Sequence, residues 1–439
     1  MTNSARLSAL NKKYSLFSCI AEDADAGKAM FLFSAADSLT TKNILTRSGS
    51  KILDGHRPVF DAAAIEKLTA AGGKLIGKTN LDEFGFGSFG TNSAFGVPKN
   101  PYDLERSCGG SSGGSACAAA VLEDHVSLGV STTGSICCPA SFCGVYGLAP
   151  TYGRVSRHGV IDCAGSVDTV GLFSSDPKKL AEFLPIISGK DPRDPTSCSQ
   201  PALELKGKRI RSVAVPEGSL SGLSKDVLSA FGSSLEMLKG MGIEVKKIKM
   251  PSLKYALPAL HVLAAAEAST FLASFVGMRY GQQDGDLAMK FDDYFTSFRT
   301  EYFGDEAKRN ILLGTYVRMA VQRDRYYYKA LKVRNHIVSQ YKQVFAEHDA
   351  VLTPAMPFAA PKLDEIIKMT PAASWEAGIL TAPPSLAGMP RLSVPCGYGE
   401  KGLPIGMQIV TDHWNEDPLL TFAKEWGSAF KVRRPEVSP

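Results

Sequence analysis

Apolar and polar positions between residues 56 and 170 follow two periods in turn. "DAAAIEKLTAAGG" carries its apolar residues at helical spacing and stops at a glycine pair, and "KLIGKTN" is a short apolar run entering a polar loop, as a strand does. "SACAAAVLE" then predicts a helix of small residues and "HVSLGVS" a strand. Helix and strand in alternation predict a layered α/β fold. Residues 186–206, "IISGKDPRDPTSCSQPALELK", are rich in turn formers, and "KRIRSVAVPEG" starts a new strand after them. From 224 to 347 the pattern is mostly helical and includes the charged, heptad-like "DEAKRNILLGTYVRMAVQRDRYYYKALKVRNHIVSQYKQVF". "AVLTPAMPF", "PRLSVPCGY" and "IGMQIV" read as buried strands returning to the sheet. A sheet built from both ends of the chain, with the middle helices packed on it, predicts one domain over 1–439. Residues 1–30 open it as a helical segment, since "LSALNKKYSLFSCI" has helical apolar spacing.

Composition narrows the class. With 439 residues and 44% apolar content the chain can bury a large core. Its 49 basic and 44 acidic residues are interspersed and sum to only +5, which argues against nucleic-acid contact by charge alone. Nine cysteines, odd in number and never in C-x-x-C spacing, predict a reducing compartment with no disulfide framework and no metal site. The most apolar stretch, "HVLAAAEASTFLASFVGM", is broken by Glu267 and reads as an amphipathic helix, so no membrane insertion is expected. Arg6, Lys12 and Lys13 stand among the first 21 residues with no acid. That is the composition of a mitochondrial presequence and so of a matrix protein; the alternative is an ordinary basic first helix in a cytoplasmic protein.

Two loops carry candidate chemistry. "CGGSSGGSACAAAV" (108–121) joins a glycine-rich loop to a helix start, where free amides can bind an anion. Neither G-x-x-x-x-G-K-[ST] nor G-x-G-x-x-G occurs in it, so no phosphate loop and no nucleotide cofactor is read from it. "STTGSICCPASFCG" (131–144) places Ser135 after a Thr-Thr-Gly turn, without the G-x-S-x-G nucleophile elbow. A serine needs a base, and His125 and His158, the nearest imidazoles in sequence, earn no such role from spacing alone.

Taken together, Gly109-Gly110-Ser111-Ser112-Gly113-Gly114-Ser115 and Thr133-Gly134-Ser135-Ile136, with Ser111 24 positions before Ser135, resemble the amidase signature family. The likeness extends through "GKTNLDEFGFGS", "NPYDLERSCGGSSGGS", "PASFCGVYGLAPTYGRVSRHGV", "LGTY", "KALKVRNHIVSQY" and "PSLAGMPRLSVPCG", nearly the whole chain. Within the family these segments are most similar to the A subunits of glutamyl-tRNA(Gln) or aspartyl-tRNA(Asn) amidotransferases. The resemblance implies a large mixed β-sheet covered by helices on both faces. It also implies glutamine hydrolysis passing ammonia onward, no cofactor, and B-type and C-type protein partners. Family roles carried to this chain make Ser135 the nucleophile, Ser111 the bridging serine, and the amides of Thr132, Thr133 and Gly134 the oxyanion hole. The terminal base is a lysine of lowered pKa on an early strand.

The chain departs from that pattern at the base. Counting back from "SGSKIL" puts Ala36-Asp37-Ser38 where the family has Lys-Asp-Asn, so Ala36 stands at the lysine. Lys42, Lys51 and Lys78 are nearby in sequence as replacements. Thr133 stands where glycine wraps the oxyanion, and Ser131 and Cys137 replace an acid and a base that support the loop. Gly378 occupies the place of the aspartate that grips the substrate's amino group, with Glu376 two residues away, and Arg334 is the candidate for the arginine that holds its carboxylate. Cys137 and Cys138 form a vicinal pair that could supply a thiol nucleophile, but Cys138 is read as packing. Losing one essential relay member costs roughly 10⁴ to 10⁶ in turnover in serine hydrolases. The expectation is therefore a catalytically degenerate homologue serving as a structural or assembly component of a larger complex. The alternatives are a working glutaminase with another base and an amidase of altered specificity.

Overall fold

Eleven strands join into one mixed sheet in the computed structural model, which describes residues 3–24, 27, 29–161, 163–198, 202–283 and 285–437. In chain order the strands are β1 (Phe17–Ile20), β2 (Phe31–Ala36), β3 (Gly73–Thr79), β4 (Lys99–Asn100), β5 (Asp103–Ser107), β6 (Val126–Ser131) and β7 (Tyr146–Ala149). They continue as β8 (Thr169–Ser174), β9 (Ser212–Pro216), β10 (Glu244–Ile248), β11 (Ala350–Pro354), β12 (Arg391–Tyr398) and β13 (Pro404–Val410). The sheet order is β1-β3-β2-β6-β8-β7-β12-β13-β11-β9-β10, and β4 pairs with β5 apart from it. Two parallel trios, β3-β2-β6 and β10-β9-β11, are joined through antiparallel neighbours and so run in opposite senses.

Helices cover both faces. They are α1 (Asn3–Tyr14), α2 (Ala63–Ala70), α3 (Gly113–Val121), α4 (Cys137–Cys143), α5 (Pro177–Ile187), α6 (Lys225–Gly240) and α7 (Ala256–Phe271). After them come α8 (Phe291–Tyr302), α9 (Asp305–Arg318), α10 (Lys329–Phe345), α11 (Ala382–Leu386) and α12 (Asp417–Ala429). Strand alternation divides the core: Leu172, Leu352 and Ile409 pack with Leu68, Leu184, Phe231 and Trp426 of α2, α5, α6 and α12. Their neighbours Phe173, Val351 and Val410 point the other way, Phe173 into the small residues of α3 and α4, the other two against α7 and α10. α9 reaches α7 through Gly314, where a Cβ would lie 1.9 Å from the Ala265 carbonyl oxygen. Only glycine permits that approach.

The strands and helices read from apolar periodicity are present, with three differences. The helix expected through Ile20 ends at Tyr14, because Ser15 adopts a left-handed φ of +55° and Phe17–Ile20 then pairs antiparallel with β3. Leu7, Leu10 and Tyr14 of α1 are buried in the same cluster as α3, so this basic helix is part of the folded body. β10 lies inside the region expected to be mostly helical; "EVKKI" is short and charged, as suits the outermost strand of a sheet. The segment Leu253–Ser274, with α7 at its centre, is 22 residues long with a mean hydropathy of 1.4, long and apolar enough to cross a membrane, contrary to the expectation from sequence. Of its most apolar window, 61% is buried against the rest of the protein.

Candidate active site

The carboxyl ends of β2, β3 and β6 open on one edge of the sheet, the usual position for a site in a parallel α/β layer. After β3 the chain turns through Asp82, whose carboxylate accepts from the Gly90 amide at 3.0 Å and the Asn92 amide at 2.8 Å. Burial pushes its pKa up to about 7. Gly110 lies against this carboxylate: a Cβ there would be 2.2 Å from Asp82 Oδ2. The next residue, Ser111, follows a cis peptide bond, is 3% exposed, and accepts the Asp82 amide on its carbonyl at 3.3 Å. Ser112 then ties the loop to β6, donating to the Val130 carbonyl at 3.0 Å and accepting its amide at 3.2 Å.

The loop after β6 is fixed through side chains and carbonyls. Thr132 donates to Asp168 Oδ1 at 2.6 Å, and Asp168 Oδ2 accepts the amides of Cys163 and Ala164, each at 2.8 Å. The Thr133 carbonyl accepts from Ser385 Oγ and from the Arg391 guanidinium, which also donates to Ser131 Oγ at 3.0 Å. Cys138 donates its amide to the Gly134 carbonyl at 2.7 Å. With those carbonyls occupied, the amides of Thr133, Gly134 and Ser135 donate to no acceptor among the described residues. A turn with free amides presents a local positive field, which is what an oxyanion requires. Thr381 closes over it, since a Cβ on Gly134 would lie 2.5 Å from Thr381 Oγ1.

Ser135 opens into a narrow cavity of about 70 Å³ whose walls include Gly110, Thr133, His261, Glu306, Trp375 and Gly378. No lysine or arginine among the described residues lines it. Glu306 is paired with Arg309, which lies outside this wall. His261 stacks on Trp375 with ring centroids 4.6 Å apart; burial lowers its pKa to about 4, so it is neutral, and its Nε2 has no partner among the described residues.

Ser111 and Ser135 are thus brought to one site. Ser111 Oγ lies 3.6 Å from where a Cβ on Gly85 would sit, and Gly85, Gly110 and Ser135 share the cavity wall. Neither serine hydroxyl makes a hydrogen bond to any described residue. Ala36 is fully buried at the end of β2, paired with Thr79. Beside it Asp37 Oδ2, Ser38 Oγ and Ser48 Oγ are buried without partners among the described residues. Lys42 and Lys51 are exposed. Lys78 is buried, but its Nζ donates to the Leu39 carbonyl, to Thr41 Oγ1 at 2.9 Å and to Thr46 Oγ1 at 3.1 Å. Burial lowers its pKa to about 8 against the opposing pull of Asp37.

Arg334 is not in the cavity wall. Its guanidinium donates to the Ser166 carbonyl at 3.1 Å and to Ser166 Oγ at 3.4 Å, and Glu267 holds the same serine from the other side. α10 turns that face toward the 163–168 loop, while Glu306 and Asn310, one helical turn apart on α9, face the cavity instead. Gly378 does line the cavity, and a Cβ there would lie 3.2 Å from Thr133 Cγ2; Glu376 does not. Burial pushes the Cys137 thiol up to about 11 and the Cys138 thiol higher, so both are protonated near neutrality. His261, Trp375, Asp168 and Arg391 were not singled out from sequence. Of these, Arg391 left a signal: an arginine opening an apolar strand must find buried acceptors.

Residues 33–420 match the amidase family. The chain is 43% identical over 395 residues to the A subunit of the glutamyl-tRNA(Gln) amidotransferase of Archaeoglobus fulgidus, covering 90% of this chain and 85% of the relative. The solved structure of the corresponding A subunit from Thermotoga maritima superimposes with a TM-score of 0.82 at 32% identity, covering 99% of this chain and 94% of that one. A chain of a complex described as vestigial, which reveals the evolutionary origins of an s-triazine catabolic enzyme, superimposes with a TM-score of 0.81 at 26% identity, covering 99% and 95%. A family match across most of the chain, a shared mixed sheet and two serine loops converging on one cavity place this protein in the amidase signature family.

Proposed function

We propose that the chain is a catalytically degenerate homologue of the amidotransferase A subunit, kept as a non-hydrolysing structural or assembly component of a larger complex. The observation that carries this reading is Ala36. An alanine sealed into β2 cannot take a proton, and no described side chain stands at Ser111 Oγ to replace it. Cavity chemistry supports the same view: the carboxylate of glutamine needs a cationic partner once desolvated, and no cation among the described residues lines the wall. The name shared by the amidotransferase relatives supports partners of the B and C type.

Native mass spectrometry of the chain co-expressed with B-type and C-type subunits, together with ammonia release from glutamine, tests the reading. A stoichiometric complex without Ser135-dependent ammonia supports it. Release that is lost in Ser135→Ala overturns it. A second reading, a working glutaminase with Lys78 as base, draws on that lysine's lowered pKa. It requires Lys78 to leave three acceptors, and it predicts release that Lys78→Met abolishes along with Ser135→Ala.

A further inference from the structure

The sheet contains a second place of the same topological kind as the one that carries Ser135. β9 lies between β10 and β11 and parallel to both, as β2 lies between β3 and β6. Neighbours on both sides of a central parallel strand leave a crevice outside the carboxyl ends, the general position of ligand sites in α/β sheets. Beyond Pro216, the last residue of β9, and Thr353 of β11 opens a cavity of about 270 Å³. Met250, Leu253, Leu380 and Pro383 give it apolar walls. Lys254 stands at its exposed rim, while Thr353 and Tyr341 at its buried end are 5% and 2% exposed.

Neither hydroxyl at the buried end is spent on the protein. Tyr341 makes no hydrogen bond to any described residue. Thr353 Oγ1 accepts from Gln408 Nε2 at 3.3 Å and gives its own proton to no described acceptor. Gln408, itself 1% exposed, leaves its Oε1 buried and unpaired among the described residues. Burial raises the Tyr341 hydroxyl well above its ordinary pKa and keeps it a donor. Arg391, a buried cation near Tyr341, is committed to Ser131, Thr133 and Met389 and does not line the cavity. An apolar chamber ending in two uncommitted hydroxyl donors matches the chemistry of small-molecule sites.

We propose that this cavity binds a small uncharged molecule whose apolar body lies along Met250, Leu380 and Pro383 and whose carbonyl oxygen accepts from Thr353 and Tyr341. The inference is independent of whether Ser135 hydrolyses anything, although residues 378–383 form a shared partition: Gly378 and Thr381 face the Ser135 cavity, Leu380 and Pro383 this one.

Hexanamide is a suitable probe, titrated into the full chain carrying ¹³C at its methionine methyls. Met250 lines the proposed site and Met356 the Ser135 cavity, so the two signals report separately. Saturable movement of the Met250 signal with Met356 unmoved is expected. Hexanoate and hexylammonium should bind at least tenfold more weakly, because the buried end offers no counter-charge. Tyr341→Phe, a conservative change, should weaken hexanamide about tenfold through loss of one donor. An unmoved Met250, a shift confined to Met356, tighter binding of hexanoate, or undiminished binding in Tyr341→Phe would each overturn the proposal.

Discussion

Replacing Ala36 with lysine should give Ser135 a reactivity that the native chain lacks, without giving it glutamine turnover. Ala36 is fully buried at the end of β2, so a longer side chain overpacks the strand and costs about 1–3 kcal/mol of stability. The unpartnered Asp37 Oδ2 and Ser38 Oγ beside it can accept from an ammonium and offset part of that cost. Lys78, equally buried on the neighbouring strand, sets the scale for the amine: its pKa is lowered to about 8. A lysine of that pKa is neutral in roughly one molecule in ten at pH 7 and about half of them at pH 8. Since only the neutral amine can take a proton, the rate should rise about tenfold per pH unit below 8 and level off above it. The ceiling is the worth of one relay member, roughly 10⁴ to 10⁶. Fluorophosphonate labelling of Ser135, read by mass spectrometry of its peptide between pH 6 and 9 with Ser135→Ala as control and circular dichroism as a check of folding, measures this. Glutamine turnover should stay absent, because its carboxylate still meets no cation among the described residues of the cavity wall. Native protein labelled as fast as Ala36→Lys would refute the premise that the base is missing. A folded Ala36→Lys variant labelled no faster than native would refute the idea that Ser111 and Ser135 retain a usable geometry.

Other perturbations separate structural from catalytic roles. Glu416 accepts from Arg154 at 2.8 and 3.1 Å and from the Thr151 amide at 3.0 Å, with the two side chains 0% and 2% exposed. Glu416→Ala should therefore cost about 3–5 kcal/mol in urea denaturation, and a loss under 1 kcal/mol would contradict the assignment. Asp82 has its folded pKa raised to about 7 from 3.8, so between about pH 4 and pH 7 the folded carboxyl holds a proton that the unfolded one has lost. Its contribution to stability thus declines as pH rises through that window, and Asp82→Asn should remove the decline; parallel profiles for the two proteins would count against it. Gly378→Ala places a methyl 3.2 Å from Thr133 Cγ2 and should cost about 1 kcal/mol. The cost should vanish in a Thr133→Ser background, and an additive double-mutant cycle would show that the two positions do not touch.

Ser111 and Ser135 were legible because each sits in a short contiguous pattern, glycine-rich before one and Thr-Thr-Gly before the other, that shapes its own loop. The sheet was legible for a similar reason, since buried strands such as "AVLTPAMPF" and "IGMQIV" announce themselves by local apolarity. Positions defined by which way a helix faces were not. The heptad-like stretch from Asp305 to Phe345 breaks at Met319, where ψ is 141°, and passes a π-helical turn at Asp324–Tyr328, so no single periodicity relates α9 to α10. That offset is why Arg334 faces Ser166 while Asn310 faces the cavity.

The loop substitutions carry a further argument that only the structure supplies. Ser131 and Cys137 stand where the family resemblance implies an acid and a base, and their loss should slacken the turn around Ser135. Arg391, arriving from β12 some 250 residues later in the chain, donates to Ser131 Oγ and to the Thr133 carbonyl and lies against the Cys137 thiol. A single buried guanidinium therefore does for the loop what two charged side chains would have done within it. No equivalent replacement among the described residues reaches the end of β2, where Asp37, Ser38 and Ser48 are left with unpartnered atoms around Ala36. Compensation at the turn without compensation at the base is the pattern expected when the shape of the site contributes to folding or assembly and its proton transfer does not.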